Sequence, residues 1–212
     1  MRFGMSLLAV LFMLSDVAWA NQLEKMHEAR VKQLLTKPVH SVTKLTWFQV
    51  GDRETTNEIL VSFVLDQEMR EAYRLRSVQA LAFFPGRKSH QFLWQVVHDR
   101  DLSERFKVAA LVSLGAAYQA EVIMELSPFL REESRLLREG AIRGMGYIRD
   151  PRVLPILKNH LHQETDLDLR ILVEQSIAEV EKAEAEEEKK RQKEMLEKSR
   201  LMESPGKPVG ER

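Results

Sequence analysis

Between residues 73 and 180 the apolar and polar positions fall into two interleaved registers that recur about every thirty residues. In the first register a basic residue leads a run of small and apolar side chains. Arg76 precedes Ala80, Leu81 and Ala82; Lys107 precedes Ala110, Leu111, Ser113 and Leu114; Arg138 precedes Ala141, Ile142, Gly144 and Met145. A weaker copy runs from Arg170 through Val173, Ser176 and Ile177, so the basic residues lie 31, 31 and 32 apart. The second register holds apolar trios spaced i, i+1, i+4, which share one face of a helix. They are Phe92, Leu93 and Val96; Val122, Ile123 and Leu126; and Val153, Leu154 and Leu157, offset by 30 and 31. Two registers with one period predict tandem pairs of helices, each too small to bury its apolar face alone.

The punctuation agrees with this reading. Asp150 and Pro151 read as a helix N-cap followed by proline at the first helical position. Asp101 and Ser103, and likewise Glu164 and Asp166, place capping side chains just before the next basic residue, while Gly115 and Gly146 are expected to end the first helices. The extra residue of the first copy falls in the turn around Pro85, Gly86, Arg87 and Lys88, where a repeat array tolerates insertion.

The run Gly146-Tyr147-Ile148-Arg149-Asp150-Pro151-Arg152-Val153-Leu154-Pro155-Ile156-Leu157 resembles the turn and second helix of the HEAT-like repeats first described in phycobilisome lyases. The resemblance covers residues 73–180 and implies an all-α fold: a short α-solenoid, a superhelical stack of two-helix repeats. It carries a fold and not an activity.

Outside the repeats the pattern changes. Residues 21–72 read as N-terminal helices with a degenerate capping repeat over 39–67, because terminal repeats must close the stack. Val39 to Val50 is ambiguous: its β-branched and aromatic residues suit a strand, yet Val42, Leu45 and Phe48 also fit a helix ending at Gly51. Residues 181–203 predict a long charged, solvated helix. Glu181 to Arg200 holds seven acidic and seven basic residues, and Glu186–Lys190, Glu187–Arg191 and Glu194–Lys198 are i, i+4 pairs in the favourable order. Its composition is that of a coiled coil, but sustained apolar heptads are missing. Residues 204–212 read as a disordered tail.

The first twenty residues have the layout of a signal peptide: Arg2, an apolar run from Met5 to Leu14, and small residues at Ala18 and Ala20. Asp16 argues against a retained anchor. The expectation is export, with the mature chain starting at Asn21, in the periplasm if the source is Gram-negative and secreted otherwise, and with no stable membrane span after cleavage.

Composition narrows the function. Lys and Arg together count 32, as do Asp and Glu, so no net field draws the chain to nucleic acid. The absence of Cys removes disulfides, thiolate metal sites and cysteine nucleophiles. No Gly-rich phosphate loop or Gly-x-Ser-x-Gly setting occurs. His160 and His162, two apart on a helix, point in different directions; His27 and Glu28 form a single His-Glu dipeptide; His90 and His98 read as rim histidines. The basic ladder Arg76, Lys107, Arg138 and Arg170 reads as structural, each cation bridging to an acid or carbonyl of an adjacent repeat. No catalytic residue, cofactor or metal is expected.

The expected function is a non-catalytic, extracytoplasmic scaffold or adaptor that binds a protein or peptide on the concave face. The non-core positions of the second helices would contact it: Gln91, Trp94, Gln95, His98, Glu121, Glu125, Arg152, Lys158 and His162. Trp94 reads equally as a contact anchor or as core. The alternative is a ligand-handling or lyase-like protein, which requires a concave pocket around His90, Trp94 and His98.

Overall fold

A computed structural model describes the backbone of residues 7–37 and 41–203, with side chains over 22–37 and 41–200. The leader expected over 1–20 lies outside the described residues at its first six positions and in all its side chains, as does the tail expected over 204–212. The described residues are all α-helical or in turns, without a strand, in the helix pairs of a solenoid-like fold. They divide into two compact units, Met1–Ala117 and Tyr118–Arg212.

The first unit begins with α1 (Leu7–Thr36), whose C-terminal turns bury Val31, Leu34 and Leu35. The ambiguous segment that follows is helical and short: α2 (Lys44–Phe48) starts at a capping box in which Thr43 and Thr46 satisfy each other's backbone N–H. α3 (Arg53–Leu65) is capped by Asp52, whose carboxylate accepts from the N–H of Glu54 and Thr55. Between these two helices Gly51 lies so close to the His27 ring that an added Cβ would collide with it. The segment expected to hold a degenerate repeat thus contains two helices, the first hardly more than one turn.

α4 (Glu71–Ala80) packs on α3 and α1 and continues into a 3-10 turn, Leu81–Phe83. α5 (Arg87–His98) buries Leu93, Val96 and Val97. α6 (Glu104–Tyr118) buries Phe106, Ala110, Leu111 and Leu114. Ser113 sits at a small-residue position of the first register, and its hydroxyl donates to the Val78 carbonyl of α4 at 3.1 Å. Gly115 does not end α6, which runs three residues further to Tyr118.

In the second unit the expected second helix is broken into a 3-10 turn (Gln119–Val122), α7 (Ile123–Leu126) and another 3-10 turn (Ser127–Arg131) that contains Pro128. Its apolar trio is nevertheless buried as the spacing requires. α8 (Arg135–Gly146) is capped by Ser134, and α9 (Val153–Gln163) begins later than expected. Asp150 does not cap α9 directly: its carboxylate accepts from the N–H of Arg152, and its carbonyl accepts from Val153, forming a turn before the helix. Gly146 serves close approach as well as termination, since an added Cβ would meet Ser176 Oγ at 2.8 Å.

The boundary expected at 180/181 is not a break. α10 (Leu167–Glu203) is one helix, joining the first helix of the fourth copy to the charged segment. The sequence from Leu167 to Glu203 holds no Gly or Pro to stop it. Leu169, Val173, Ser176, Ile177 and Val180 are buried, and from Glu184 to Arg200 every residue is exposed.

Residues Glu104–Arg131 contain an 18-residue window apolar enough to pass for a membrane span by length and composition. Half of that window is buried in the fold, and 3-10 turns interrupt it, so its apolarity is that of a core.

Candidate functional site

The amphipathic pattern that builds the second helices also sets out their polar positions. On α5 the buried stripe of Leu93, Val96 and Val97 leaves Gln91, Gln95 and His98 exposed and Trp94 half-buried. Trp94 and His98 pack edge to face with ring centroids 4.7 Å apart, and His98 Nδ1 lies 2.9 Å from the Trp94 carbonyl. Gln91, Trp94 and His98, spaced i, i+3, i+7, make one strip; Gln95 lies on the neighbouring flank.

In the second unit the expected residues are spread over separate elements. Glu121 is exposed in the 3-10 turn before α7, and Glu125 is half-buried in α7. Arg152 is occupied by its own turn: Nη2 reaches Asp150 at 2.7 Å, an exposed pair whose hydrogen bonds hold the Asp150 carboxyl below the usual range. Lys158 reaches from α9 to Glu181 of α10 at 2.8 Å. His162 is exposed, whereas His160, two residues before it, is buried. These five residues are thus exposed or half-buried but are not gathered into one strip.

A depression in the first unit runs along the other flank of α5. It is a groove of about 680 Å³ where the end of α3, the start of α4, the end of α5 and the start of α6 meet. Gln95 lines it with Phe92 and Val96, while His90, Trp94 and His98 are not among its walls. Its floor is apolar, closed by Phe106, with Arg74 stacked 5.0 Å from the Phe106 ring and its Nε donating to the Val64 carbonyl. Glu71, Asp99 and Asp101 stand on its rim.

The basic ladder is structural at three of its four rungs. Arg76 donates to the Leu35 and Lys37 carbonyls at the end of α1. Arg138 donates to the Glu132 and Glu133 carbonyls before α8, and Arg170 to those of Leu161 and Glu164 at the end of α9. Each guanidinium satisfies carbonyls that a helix end or turn leaves without partners.

One buried polar cluster was not foreseen. Glu164, expected only to cap, is buried: Oε2 accepts from Arg138 Nε at 2.8 Å, and Oε1 accepts from the N–H of Thr165 and Asp166. Burial alone would raise its pKa; the backbone N–H of Asp166, the Arg138 guanidinium and the Thr165 N–H outweigh burial and lower it. His160 is 6% exposed, and its Nε2 lies 3.4 Å from Glu164 Oε2 without a hydrogen bond. Burial pushes the imidazole below its usual range; Glu164 opposes this, while Arg138 and Arg131 add to it. The paired acid-x-acid turns, Asp99 to Asp101 and Glu164 to Asp166, are the sequence signal that could have revealed this cluster and the acidic rim together. Among the described residues no three His, Asp or Glu side chains converge as a metal would require.

Residues 93–178 match the sequence family of HEAT repeats, a span running from within α5 to within α10. HEAT repeats commonly serve as protein-interaction scaffolds. No curated protein matches the chain.

Proposed function

We propose that this chain is a non-catalytic scaffold or adaptor that holds another protein outside the cytoplasm. The observation that carries this reading is the run of HEAT-like repeats over residues 93–178. Stacked helix pairs of this kind bury one face of each helix and leave a ladder of outward positions on a rigid support. On α5 that ladder is Gln91, Trp94 and His98, a polar strip around one half-buried indole, which suits a polypeptide partner.

The experiment is affinity capture from the extracytoplasmic fraction with the chain starting at Asn21. Wild type is compared with Gln91→Arg/Trp94→Ala on α5 and with Lys158→Glu/His162→Glu on α9. A partner enriched by wild type and lost with one of the pairs is the expected result. Capture of the same proteins at the same level by wild type and both variants would retire the surface assignment. Export belongs to the same proposal: intact mass of the cellular protein is expected to begin at Asn21 in the extracytoplasmic fraction, and a chain retaining residues 1–20 in the cytoplasm would overturn it.

A further inference from the structure

The end of α5 and the end of α9 are built alike. Asp99 and Glu164 each follow the last helical residue, and each donates its N–H to the carbonyl four residues back, Gln95 and His160 respectively. In both turns the side-chain carboxylate then accepts the N–H of an aspartate two residues on: Asp101 to Asp99 Oδ1 at 2.8 Å, Asp166 to Glu164 Oε1 at 2.9 Å. The same acid-x-acid turn therefore occurs once in each unit.

What the two turns hold is different. In the second unit Arg138 of α8 places its Nε on Glu164, and Arg135 places its Nε on Asp166 at 2.7 Å and Nη2 on Asp168 at 3.2 Å. The junction is filled by guanidinium groups. The positions of α4 that match Arg135 and Arg138, 62 residues earlier in the repeat register, are Tyr73 and Arg76. Tyr73 carries no cation, and Arg76 is turned to the carbonyls at the end of α1. Among the described residues neither Asp99 nor Asp101 meets a basic side chain. Of the other charges, Glu71 has only a long, exposed pair with Arg105 at 3.7 Å, and Arg74 is committed to the Val64 carbonyl and the Phe106 ring. In the place where the second unit is filled, the first has its 680 Å³ groove, apolar on the floor and acidic on the rim.

We propose that this groove docks an extended segment of a partner protein that presents an arginine side chain next to an apolar one. The guanidinium takes the carboxylates of Asp99 and Asp101 as Arg135 and Arg138 take those of Asp166 and Glu164, and the apolar side chain packs on Phe92, Val96 and Phe106. The charge is complementary in sign, and the planar donor fork suits carboxylates better than an ammonium does. This assignment rests on the scaffold reading and names the chemistry of one partner segment.

The probe is a short fluorescein-labelled Gly/Ser peptide with a central Leu-Arg-Leu, titrated with the full chain starting at Asn21 and followed by fluorescence anisotropy. Its isosteric counterpart carries citrulline in place of arginine. Asp99→Asn/Asp101→Asn removes the charge while Asn keeps the oxygen that accepts the Asp101 N–H; Leu65→Lys, at an exposed wall position, puts a competing cation in the groove. Circular dichroism melting confirms that both variants fold. The arginine peptide is expected to bind with saturation, and citrulline or either variant to weaken it by about tenfold or more, the loss of a charge-assisted hydrogen bond. Glu197→Gln, a carboxylate on the exposed part of α10, is expected to change nothing. Equal binding of the arginine and citrulline peptides, no binding of either, or an equal effect of Glu197→Gln would overturn the groove assignment. If it falls while partner capture still depends on the α5 strip, only the groove is lost; if capture is independent of every surface variant, the scaffold reading is lost with it.

Discussion

Arg138 and Glu164 meet across the turn between α9 and α10, Nε to Oε2 at 2.8 Å, with 18% and 3% of their side chains exposed. The pair ties α8 to the last turn of α9. Arg138 also holds the Glu132 and Glu133 carbonyls, and the Glu164 carbonyl accepts from Arg170, so one buried acid knots together three successive elements.

Removing one partner of such a pair strands the other. Glu164→Ala is expected to lower the unfolding free energy by about 3–5 kcal/mol, because a buried guanidinium loses its counter-charge. Glu164→Gln keeps two acceptor contacts and should cost less, about 1–3 kcal/mol. Urea denaturation of both variants measures this; a change within a few tenths of a kcal/mol for Glu164→Ala would show the pair to be idle.

The same cluster sets a pH dependence in two steps. The His160 pKa is lowered in the fold from its ordinary 6.5, so on acidification the unfolded chain takes up the proton first. Stability should therefore begin to fall as pH drops below about 6.5. Glu164 is lowered from its ordinary 4.5, and its contribution, complete above that value, is lost as pH falls further through the folded pKa. His160→Gln, which places at 160 the residue found at the matching position Gln95, should abolish the upper step and keep the lower. Denaturation midpoints between about pH 2 and pH 8 decide it; an unchanged upper step would assign it to another group.

Gly146 faces Ser176 closely enough that a methyl group must displace it. Gly146→Ala is expected to destabilise by about 1–3 kcal/mol, as overpacking does. Ser176→Ala removes the nearer atom, so the double variant should recover part of the loss. A double-mutant cycle on thermal melts tests this, and strictly additive effects would contradict the contact.

The exposed part of α10 contributes charge without packing. A chain ending after Ala183 keeps the buried Val180 and the Lys158–Glu181 pair. Its unfolding free energy should stay within about 0.5 kcal/mol of the full chain. A larger drop would mean that residues 184–203 pack in solution.

The sequence by itself determined the repeat. The period, the apolar trios and the small-residue positions were all legible, because helical periodicity is local and every layer of a stack repeats the same demand for apolar cover. The rungs at Arg76, Arg138 and Arg170 were foreseen as a kind of contact, though not with their partners. Only the tertiary structure decided that Glu164 is buried on Arg138, that Gly146 is pressed by Ser176, and that the groove flanks Gln95 and not Trp94. The physical reason is common to these cases. A carboxylate in a turn, or a glycine at a helix end, has the same local propensity whether it meets water, a cation or a neighbouring helix, and that choice belongs to residues 26 to 34 positions away that only the packed chain brings within reach.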